Sequence, residues 1–178
     1  TAARIYLANN TITSDGTGSC QATKYDDWDG DFTCPVVHAY RTGVSMFDNT
    51  VNIPDTGDAD GIRAVGALLD IQRNTFNIPG TGVRVTNYDD GYAGSQQFGT
   101  LGFFSQNTWA GVGMTYNVSK SSITVQSEYI PSPPPGEYPV RLVWSDQEAY
   151  PPNDYQTNIR PTFVQDCANC ANMTPRGF

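Results

Sequence analysis

Apolar residues along the chain follow a short pattern that returns several times, apolar-x-apolar-x-x-Asn-Thr-apolar. One clear copy occupies residues 69–76. A repeat with a period of about 20–50 residues is typical of solenoids, in which each unit buries its apolar side against the next. The other copies are centred on Asn10, Asn49, Asn107 and, with Glu and Tyr in place of Asn and Thr, Glu128.

The apolar residues inside each copy alternate with polar ones at a period of two, which predicts strands rather than helices. Around Asn74 three short strands are predicted, at residues 69–71, 76–78 and 83–85, with corners rich in Asn and Gly between them. Three strands and two corners describe one rung of a parallel β-helix. A Thr-Gly corner follows the Asn at a constant distance at residues 17–18, 56–57 and 81–82.

The repeated asparagine has a structural role in this interpretation. Asn tolerates the left-handed backbone conformation better than any residue except Gly, so we expect it to adopt that conformation at the corner. Stacking also places each Asn above the previous one, where its carboxamide can bond to the next turn. We therefore expect these asparagines to hold corners and to bind no ligand. The same register predicts one inward row made of Leu7, Met46, Ile71, Phe104 and Val125.

The sequence Leu-Asp-Ile-Gln-Arg-Asn-Thr-Phe-Asn-Ile at residues 69–78, followed by Gly-Val-Arg-Val at 82–85, resembles rungs of one known group. These are the right-handed parallel β-helix proteins of the pectate-lyase-like superfamily. The resemblance covers roughly residues 1–130 and implies an all-β fold, a right-handed parallel β-helix of about five rungs. That superfamily contains lyases, hydrolases, adhesins and inert stalks, so the function stays open.

Residues 131–178 differ in composition and form a second predicted region. The Pro-rich run at 131–136 is typical of a stiff, extended link, and residues 140–144 predict a single strand. The rest is rich in Pro, Asn and Asp, which predicts an irregular C-terminal cap. Such a cap would cover the apolar cross-section and the unpaired strand edges of the last rung.

The predicted first rung begins directly at Ile5, without a comparable cap before it. Its unpaired strand edge needs a partner. We expect that partner to be another copy of the chain or an upstream part of the same precursor. The first residue is Thr1 and not Met, which favours the removal of a signal sequence or of an upstream region.

Charge and composition narrow the class of protein. The chain has 18 acidic against 10 basic residues and a net charge of -8. This balance argues against nucleic acid or an anionic membrane as a partner, because both need a basic surface. No apolar run approaches the ~20 residues needed to cross a bilayer, which argues against membrane insertion. Charged residues make up only 16% of the chain, as is common in extracellular and cell-surface proteins.

The cysteines agree with an extracellular location. An even number of cysteines in a Gly- and Pro-rich chain favours disulfides over metal binding or redox chemistry. One pairing would close the loop inserted into the first rung, and the other would close a small C-terminal loop, but three pairings are possible. A redox Cys-x-x-Cys would need a surrounding βαβ pattern, which is absent from the sequence. The residues are Cys20, Cys34, Cys167 and Cys170.

Sequons and acidic clusters suggest two kinds of surface site. Glycosylation sequons begin at Asn9, Asn117 and Asn172. Carboxylates at alternating positions suit Ca²⁺, which takes six to eight oxygen ligands. However, the acidic loop at residues 26–31 lacks the bidentate Glu of an EF-hand, and a solvated acidic loop is the alternative interpretation. The calcium candidates in that loop are Asp27, Asp29 and Asp31.

An enzyme is the second functional hypothesis. Residues 58–62, Asp-Ala-Asp-Gly-Ile, resemble one segment of polygalacturonase-like hydrolases, and residues 88–91 loosely resemble their Asp-Asp pair. Inverting hydrolysis needs two carboxyl groups about 6.5–9.5 Å apart, which neighbouring rungs could approach. The His-Gly and Arg-Ile-Lys motifs of that family are absent, and His38 lies upstream of both segments. The candidates are Asp58, Asp60, Asp89 and Asp90, with Arg63 and Arg84 as bases of a lyase.

The sequence therefore favours a secreted structural or adhesive surface module, within a repetitive or filamentous extracellular assembly. The alternative is a polysaccharide hydrolase or lyase, or a degenerate relative that only binds polysaccharide. No cofactor is expected apart from the calcium considered above.

Overall fold

The computed structural model describes residues 3–13, 35–53, 60–86, 99–112, 114–119, 121–128, 140–143, 162–166 and 176–177. All regular structure within these ranges is strand. Sheet A contains β1 (Arg4–Ala8), β4 (Gly43–Phe47), β7 (Leu68–Gln72), β10 (Leu101–Ser105), β13 (Ser122–Gln126) and β15 (Thr162–Asp166). Sheet B contains β2 (Thr11–Thr13), β5 (Thr50–Asn52), β8 (Thr75–Asn77) and β11 (Thr108–Ala110). Sheet C contains β3 (Val37–Tyr40), β6 (Ile62–Val65), β9 (Thr81–Thr86), β12 (Met114–Ser119), β14 (Val140–Val143) and β16 (Arg176–Gly177).

Through the first four rungs the chain visits sheets A, B and C in turn and adds one strand to each, and the later described strands belong to sheets A and C. Neighbouring strands in every sheet are parallel. Three parallel sheets that share one interior form a parallel β-helix, which confirms the fold class predicted from the repeat. Among the described residues, no helix has the length and apolar character needed to cross a membrane.

The predicted inward row is confirmed by the register of sheet A. Met46 is the Cα partner of both Leu7 and Ile71, and Phe104 is the partner of both Ile71 and Val125. All of these side chains except Leu7 are fully buried. Alternation therefore turns every second residue of each strand into the core, as the period of two requires.

Sheet B contributes the large aromatic side chains of the core. Val51, Phe76 and Trp109 follow one another in register and are fully buried. The rings of Phe76 and Trp109 are stacked, with centroids 4.3 Å apart. Trp109 in turn meets Tyr116 of sheet C edge-on at 5.6 Å. These aromatic contacts join sheets B and C and fill the interior of the third and fourth rungs.

The corner between sheets A and B differs from the expectation in one respect. The residue with positive φ is the one before the ladder asparagine and not the asparagine itself, so that prediction was wrong. The asparagine must turn inward to bond with its neighbours, whereas the residue before it points to solvent. The left-handed residues are Asn9 (φ 56°), Asp48 (φ 57°), Arg73 (φ 55°), Gln106 (φ 57°) and Ser127 (φ 51°).

The C-terminal region contains more regular structure than its composition predicted. β14 was expected, and it pairs with β12. β15 was not expected, yet it pairs residue for residue with β13 and places Phe163 beside Ile123. β16 pairs with β14. Parallel pairing thus continues past residue 130. The sequence did not reveal β15 and β16, because such short strands show too few alternating residues to be distinguished from irregular structure.

Candidate functional site

A ladder of asparagines runs through the corner between sheets A and B. The Asn74 side-chain oxygen accepts the backbone N–H of Asn49 at 2.9 Å and its side-chain N–H at 2.9 Å. The Asn74 nitrogen donates to the carbonyls of Met46 and Gln72 at 3.0 and 2.9 Å. The same exchange links Asn10 to Asn49 and Asn74 to Asn107. The predicted amide bonding between rungs is thereby confirmed, and these buried polar groups have the partners that burial demands.

The ladder ends at a buried carboxylate. Glu128 Oε1 accepts the backbone N–H of Asn107 at 3.2 Å and its side-chain N–H at 2.5 Å. Glu128 Oε2 accepts the indole Nε1–H of Trp109 at 2.5 Å and the hydroxyl of Tyr116 at 2.6 Å. The side chain is only 4% exposed. From the sequence, Glu128 was assigned only as the centre of a degenerate copy of the repeat. The signal that could have revealed its role is the presence of Trp109 and Tyr116 nearby in the chain, because both carry the N–H or O–H donors that a buried carboxylate needs.

Burial controls the protonation of this cluster. It raises the pKa of the Glu128 carboxyl above its ordinary value, against the opposing effect of the hydrogen bonds from Trp109, Tyr116 and Asn107. Burial, followed by the charge of Glu128, also raises the pKa of the Tyr116 hydroxyl well above its usual value. Tyr116 therefore keeps its proton and remains a donor. The cluster faces the core and closes the ladder, which is a structural role.

A second cluster lies on the outer side of sheet C. Arg63 and Arg84 are Cα partners on β6 and β9, so the alignment predicted for them is present. Arg84 Nε donates to Asp60 Oδ2 at 2.9 Å. His38 of β3 is the partner of Arg63 on one side, and Asn117 of β12 is the partner of Arg84 on the other. The row therefore brings one carboxylate, two guanidinium groups and an imidazole to neighbouring rungs.

Burial distinguishes the members of this row. Asp60 is fully buried, Arg63 is 6% exposed and Asn117 is 7% exposed. The side chain of Arg84 is 14% exposed, whereas His38 is exposed to solvent. A buried ion pair is costly to desolvate, so it persists only with good geometry and further hydrogen bonds.

A glycine places Asp60 beside Arg84. Gly61 lies so close to the next rung that an added Cβ would come within 2.5 Å of Ile78 Cδ1 and 2.6 Å of the Gly82 carbonyl oxygen. The Gly61 N–H donates to the carbonyl of Thr81 at 2.9 Å. Any larger residue here would push the rungs apart and separate Asp60 from β9.

The chemistry open to this cluster is limited by the groups that the structure brings together. Guanidinium groups bind carboxylates and other anions, often through two hydrogen bonds. Hydrolysis by inversion needs a second carboxyl group at a suitable distance. Asp58, Asp89 and Asp90 lie outside the described residues, as do the calcium candidates Asp27, Asp29 and Asp31. Across the ranges that the structure describes, no three His, Cys, Asp or Glu side chains are grouped to hold a metal ion.

The remaining predicted sites are distributed as follows. Asn9 is exposed at a corner of the first rung, a position from which a glycan can project. Asn117 lies within β12 and is largely buried, which leaves little room for a glycan. Asn172 and the four cysteines Cys20, Cys34, Cys167 and Cys170 lie outside the described residues.

Sequence reasoning missed an apolar patch on the outer face of sheet A. Leu68 and Leu101 are partners on neighbouring strands and are 58% and 55% exposed. Phe103, two residues beyond Leu101 on the same side, is half-buried. Exposed, contiguous apolar groups on a folded surface commonly mark a place of contact with other molecules. The sequence did contain a signal for this patch. In β7 and β10 the inward positions are already apolar, yet Leu68, Leu101 and Phe103 place further apolar residues at outward positions.

A polar and aromatic group lies elsewhere on the same face, and Ser45 and Asp70 stand in register between its Tyr6 and Phe103 of the patch. The rings of Tyr6 and Phe47 lie 5.5 Å apart, and the Arg73 guanidinium carbon is 5.8 Å from the Phe47 centroid. Arg73 also forms an ion pair with Asp48 at 2.8 Å. Tyr6 is 67% exposed. Sheet A thus presents aromatic rings and aliphatic side chains together with groups able to form hydrogen bonds.

Comparison with known proteins adds no assignment to this geometry: no family model, no curated protein and no solved structure matches the chain.

Proposed function

We propose that the protein is a secreted structural or adhesive surface module of a repetitive extracellular assembly. The observation that carries this proposal is the outer face of sheet A, where Leu68, Leu101 and Phe103 form an apolar patch and Tyr6 and Phe47 form an aromatic pair on the same face. A parallel sheet presents these side chains on a broad surface, and the stacked rungs beneath hold it rigid. Such a surface suits contact with another macromolecule, and polysaccharide is the first partner to test.

The rigidity of the rung stack supports the structural part of the proposal. The core is continuous from Leu7 of the first rung to Phe163 of β15, and the asparagine ladder bonds each corner to the next. In solenoids each unit contacts only its neighbours, so such a stack acts as a spacer that presents surface along its length. An extracellular location and the right-handed helix of the pectate-lyase-like superfamily belong to the same proposal.

The experiment is a binding screen of the purified chain against neutral and acidic polysaccharides, with reaction products measured in the same samples. Binding without cleavage is the expected result. The double variant Leu68→Ser/Leu101→Ser removes the centre of the patch and should lower binding at least tenfold. Thr75→Ala/Thr108→Ala is the matched control, because these exposed residues are partners on neighbouring strands of sheet B. Equal losses in both variants, or no binding in the screen, would overturn the adhesive function.

A carbohydrate-active enzyme remains the second candidate. The observation in its favour is the cluster of Asp60, Arg63 and Arg84 on neighbouring rungs. Polysaccharide cleavage that disappears in Asp60→Asn, while the variant stays folded, would establish catalysis at this cluster. Retention of cleavage in that variant would place the activity elsewhere, and absence of cleavage in the wild type would exclude the enzyme.

A further inference from the structure

The first rung has three strands with a neighbour on one side only among the described residues. β1, β2 and β3 are each the end strand of their sheet. One edge of β1 is hydrogen-bonded to β4. Directly after the strand, the Asn9 N–H donates to the Phe47 carbonyl at 3.0 Å. By alternation along the strand, the N–H groups of Tyr6 and Ala8 point to the opposite edge. This edge can accept a further strand.

Inward-facing residues of the first rung are more exposed than their equivalents in the rungs above. Ile5 is 45% exposed, whereas its neighbours in the same inward row, Val44 and Leu69, are 0% and 4% exposed. Leu7 and Ile12 are also only half-buried, in rows whose other members are in the core. Ile5 points inward, as Val44 does, because both follow the same alternation along their strands. Ile5 is exposed because β1 is the end strand of sheet A, so no described rung covers its side chain from below.

The asparagine ladder has a direction, and its two ends differ. The side-chain oxygens of Asn49, Asn74 and Asn107 each accept two N–H groups from the asparagine of the rung before them, as Asn74 does from Asn49. Asn10 donates to Asn49 in this way. Within the described part of the chain, no donor reaches Asn10 Oδ1. At the other end Glu128 accepts from Asn107 and closes the ladder.

We propose that this end of the solenoid binds a further rung, a chain segment that carries the pattern apolar-x-apolar-x-x-Asn-Thr and pairs in parallel with β1. Its asparagine donates a backbone and a side-chain N–H to Asn10 Oδ1. Its apolar residues cover Ile5 and Leu7. This inference rests on the proposed structural function and adds to it the kind of chain segment to which the first rung binds in the assembly.

The chemistry of the ladder favours this partner over the opposite end of a second copy. At that end the last strand of sheet A is β15, one rung beyond Glu128. Two positions after each earlier sheet A strand the sequence has the ladder residue, but after β15 it has Cys-Ala, which offers no side-chain amide N–H. A head-to-tail contact between copies would therefore leave the Asn10 oxygen without the pair of donors that every other ladder oxygen receives. The partner is a rung with an asparagine at the ladder position.

The test adds such a rung to the protein itself. Residues 43–67 are repeated directly before Arg4, so that the added Ala67 takes the place of Ala3. Ala3 and Ala67 occupy equivalent positions, because the carbonyl of each accepts the N–H of the first residue of the next sheet A strand. Ala3 accepts from Gly43, and Ala67 accepts from Leu101. The added Asn49 then lies beneath Asn10. We expect Tm to rise by roughly 5 °C or more, with slower hydrogen exchange at the Tyr6 and Ala8 amides.

The matched control is the same extension with its added Asn49 replaced by Ala, which removes the side-chain donor while keeping the apolar residues. Its gain in Tm should be less than that of the intact extension. An intact extension that changes neither Tm nor exchange overturns the proposal, and equal gains in both overturn the ladder contact. Concentration-dependent self-association of the unextended chain that protects the Tyr6 and Ala8 amides would identify a second copy as the occupant and also overturn it. The polysaccharide screen uses a different surface, so its outcome is independent of these results.

Discussion

Glu128 accepts both the backbone and the side-chain N–H of Asn107, and so occupies the position of a further ladder asparagine. A carboxylate can accept here as an amide does, but it offers no N–H to continue the ladder. It also receives the donors of Trp109 and Tyr116. The chain thus ends its ladder by joining it to the aromatic core.

Replacement of Glu128 should be among the most damaging changes in the corner. Glu128→Ala leaves the N–H groups of Asn107 and Trp109 and the hydroxyl of Tyr116 without their acceptor, at about 1–3 kcal/mol for each buried group. Glu128→Gln retains one accepting oxygen and should cost less. Denaturant unfolding of both variants checks this order. Equal stability of Glu128→Ala and the wild type would contradict the assigned role.

The pH dependence of stability follows from the raised pKa of Glu128. Because burial lifts the pKa in the folded state, the folded protein holds this proton at pH values where the unfolded chain has lost it. The contribution is complete below the unfolded pKa and is lost as pH rises through the folded pKa. Wild type should therefore lose stability relative to Glu128→Gln across this window. A difference between the two unfolding free energies that does not change with pH would refute the expectation.

A charge in the inward row should unfold the solenoid. Ile71 is fully buried between Met46 and Phe104, so Ile71→Asp places an uncompensated carboxylate in the core and should cost several kcal/mol, roughly 4 or more. Leu68→Asp is the control on the same strand, because Leu68 is exposed. Thermal melting monitored by circular dichroism distinguishes the two. Similar melting of both variants would mean that the inward row is wrongly assigned.

Position along the ladder should set the cost of losing an asparagine. The Asn74 side chain both donates to and accepts from its neighbours, and Asn74 is 1% exposed. Asn10 is exposed, and within the described residues its side chain donates to Asn49 but accepts no bond. We expect Asn74→Ala to cost about 2–4 kcal/mol and Asn10→Ala about 1 kcal/mol or less. Chemical denaturation measures both. The reverse order would contradict the ladder.

The ion pair of Asp60 and Arg84 should be much more sensitive to the loss of one partner than of both. Arg84→Ala removes one charged partner of the buried Asp60 carboxylate and should cost about 3–5 kcal/mol. The double variant Asp60→Leu/Arg84→Met replaces the pair by apolar groups of similar size and should lose less. Unfolding free energies around the double-mutant cycle provide the measurement. Additive losses would indicate that the two side chains do not interact.

The left-handed corner residues offer a stabilising substitution. A non-Gly residue in this conformation costs about 1–2 kcal/mol, which Gly avoids at the expense of a more flexible unfolded chain. Gln106→Gly should therefore be neutral or stabilising by up to about 1 kcal/mol, and the β-branched Gln106→Val should be destabilising. Equal stability of the two variants would argue against a positive φ at Gln106.

The sequence predicted the parts of this structure that depend on local alternation. The period of two and the recurring Asn-Thr were enough for the rung, the register and the inward position of Ile71. They could not show that the residue before each Asn takes the left-handed conformation. That depends on the Asn side chain turning inward to form hydrogen bonds with the neighbouring rungs. The acceptor role of Glu128 and the contact of Leu68 with Leu101 depend on pairing between distant segments. A pattern within one segment carries no information about either.

The corner between sheets A and B is always two residues, at 9–10, 48–49, 73–74 and 106–107, whereas the link from sheet B to sheet C varies widely. It runs from residue 14 to 36 in the first rung and only from 78 to 80 in the third. The register of the sheets is the same in both cases. The link from sheet C back to sheet A also varies, from residues 66–67 in the second rung to 87–100 in the third. Length can therefore change at these two corners while the two-residue asparagine corner stays constant, which makes the chain a display scaffold into which new segments can be grafted at the variable corners.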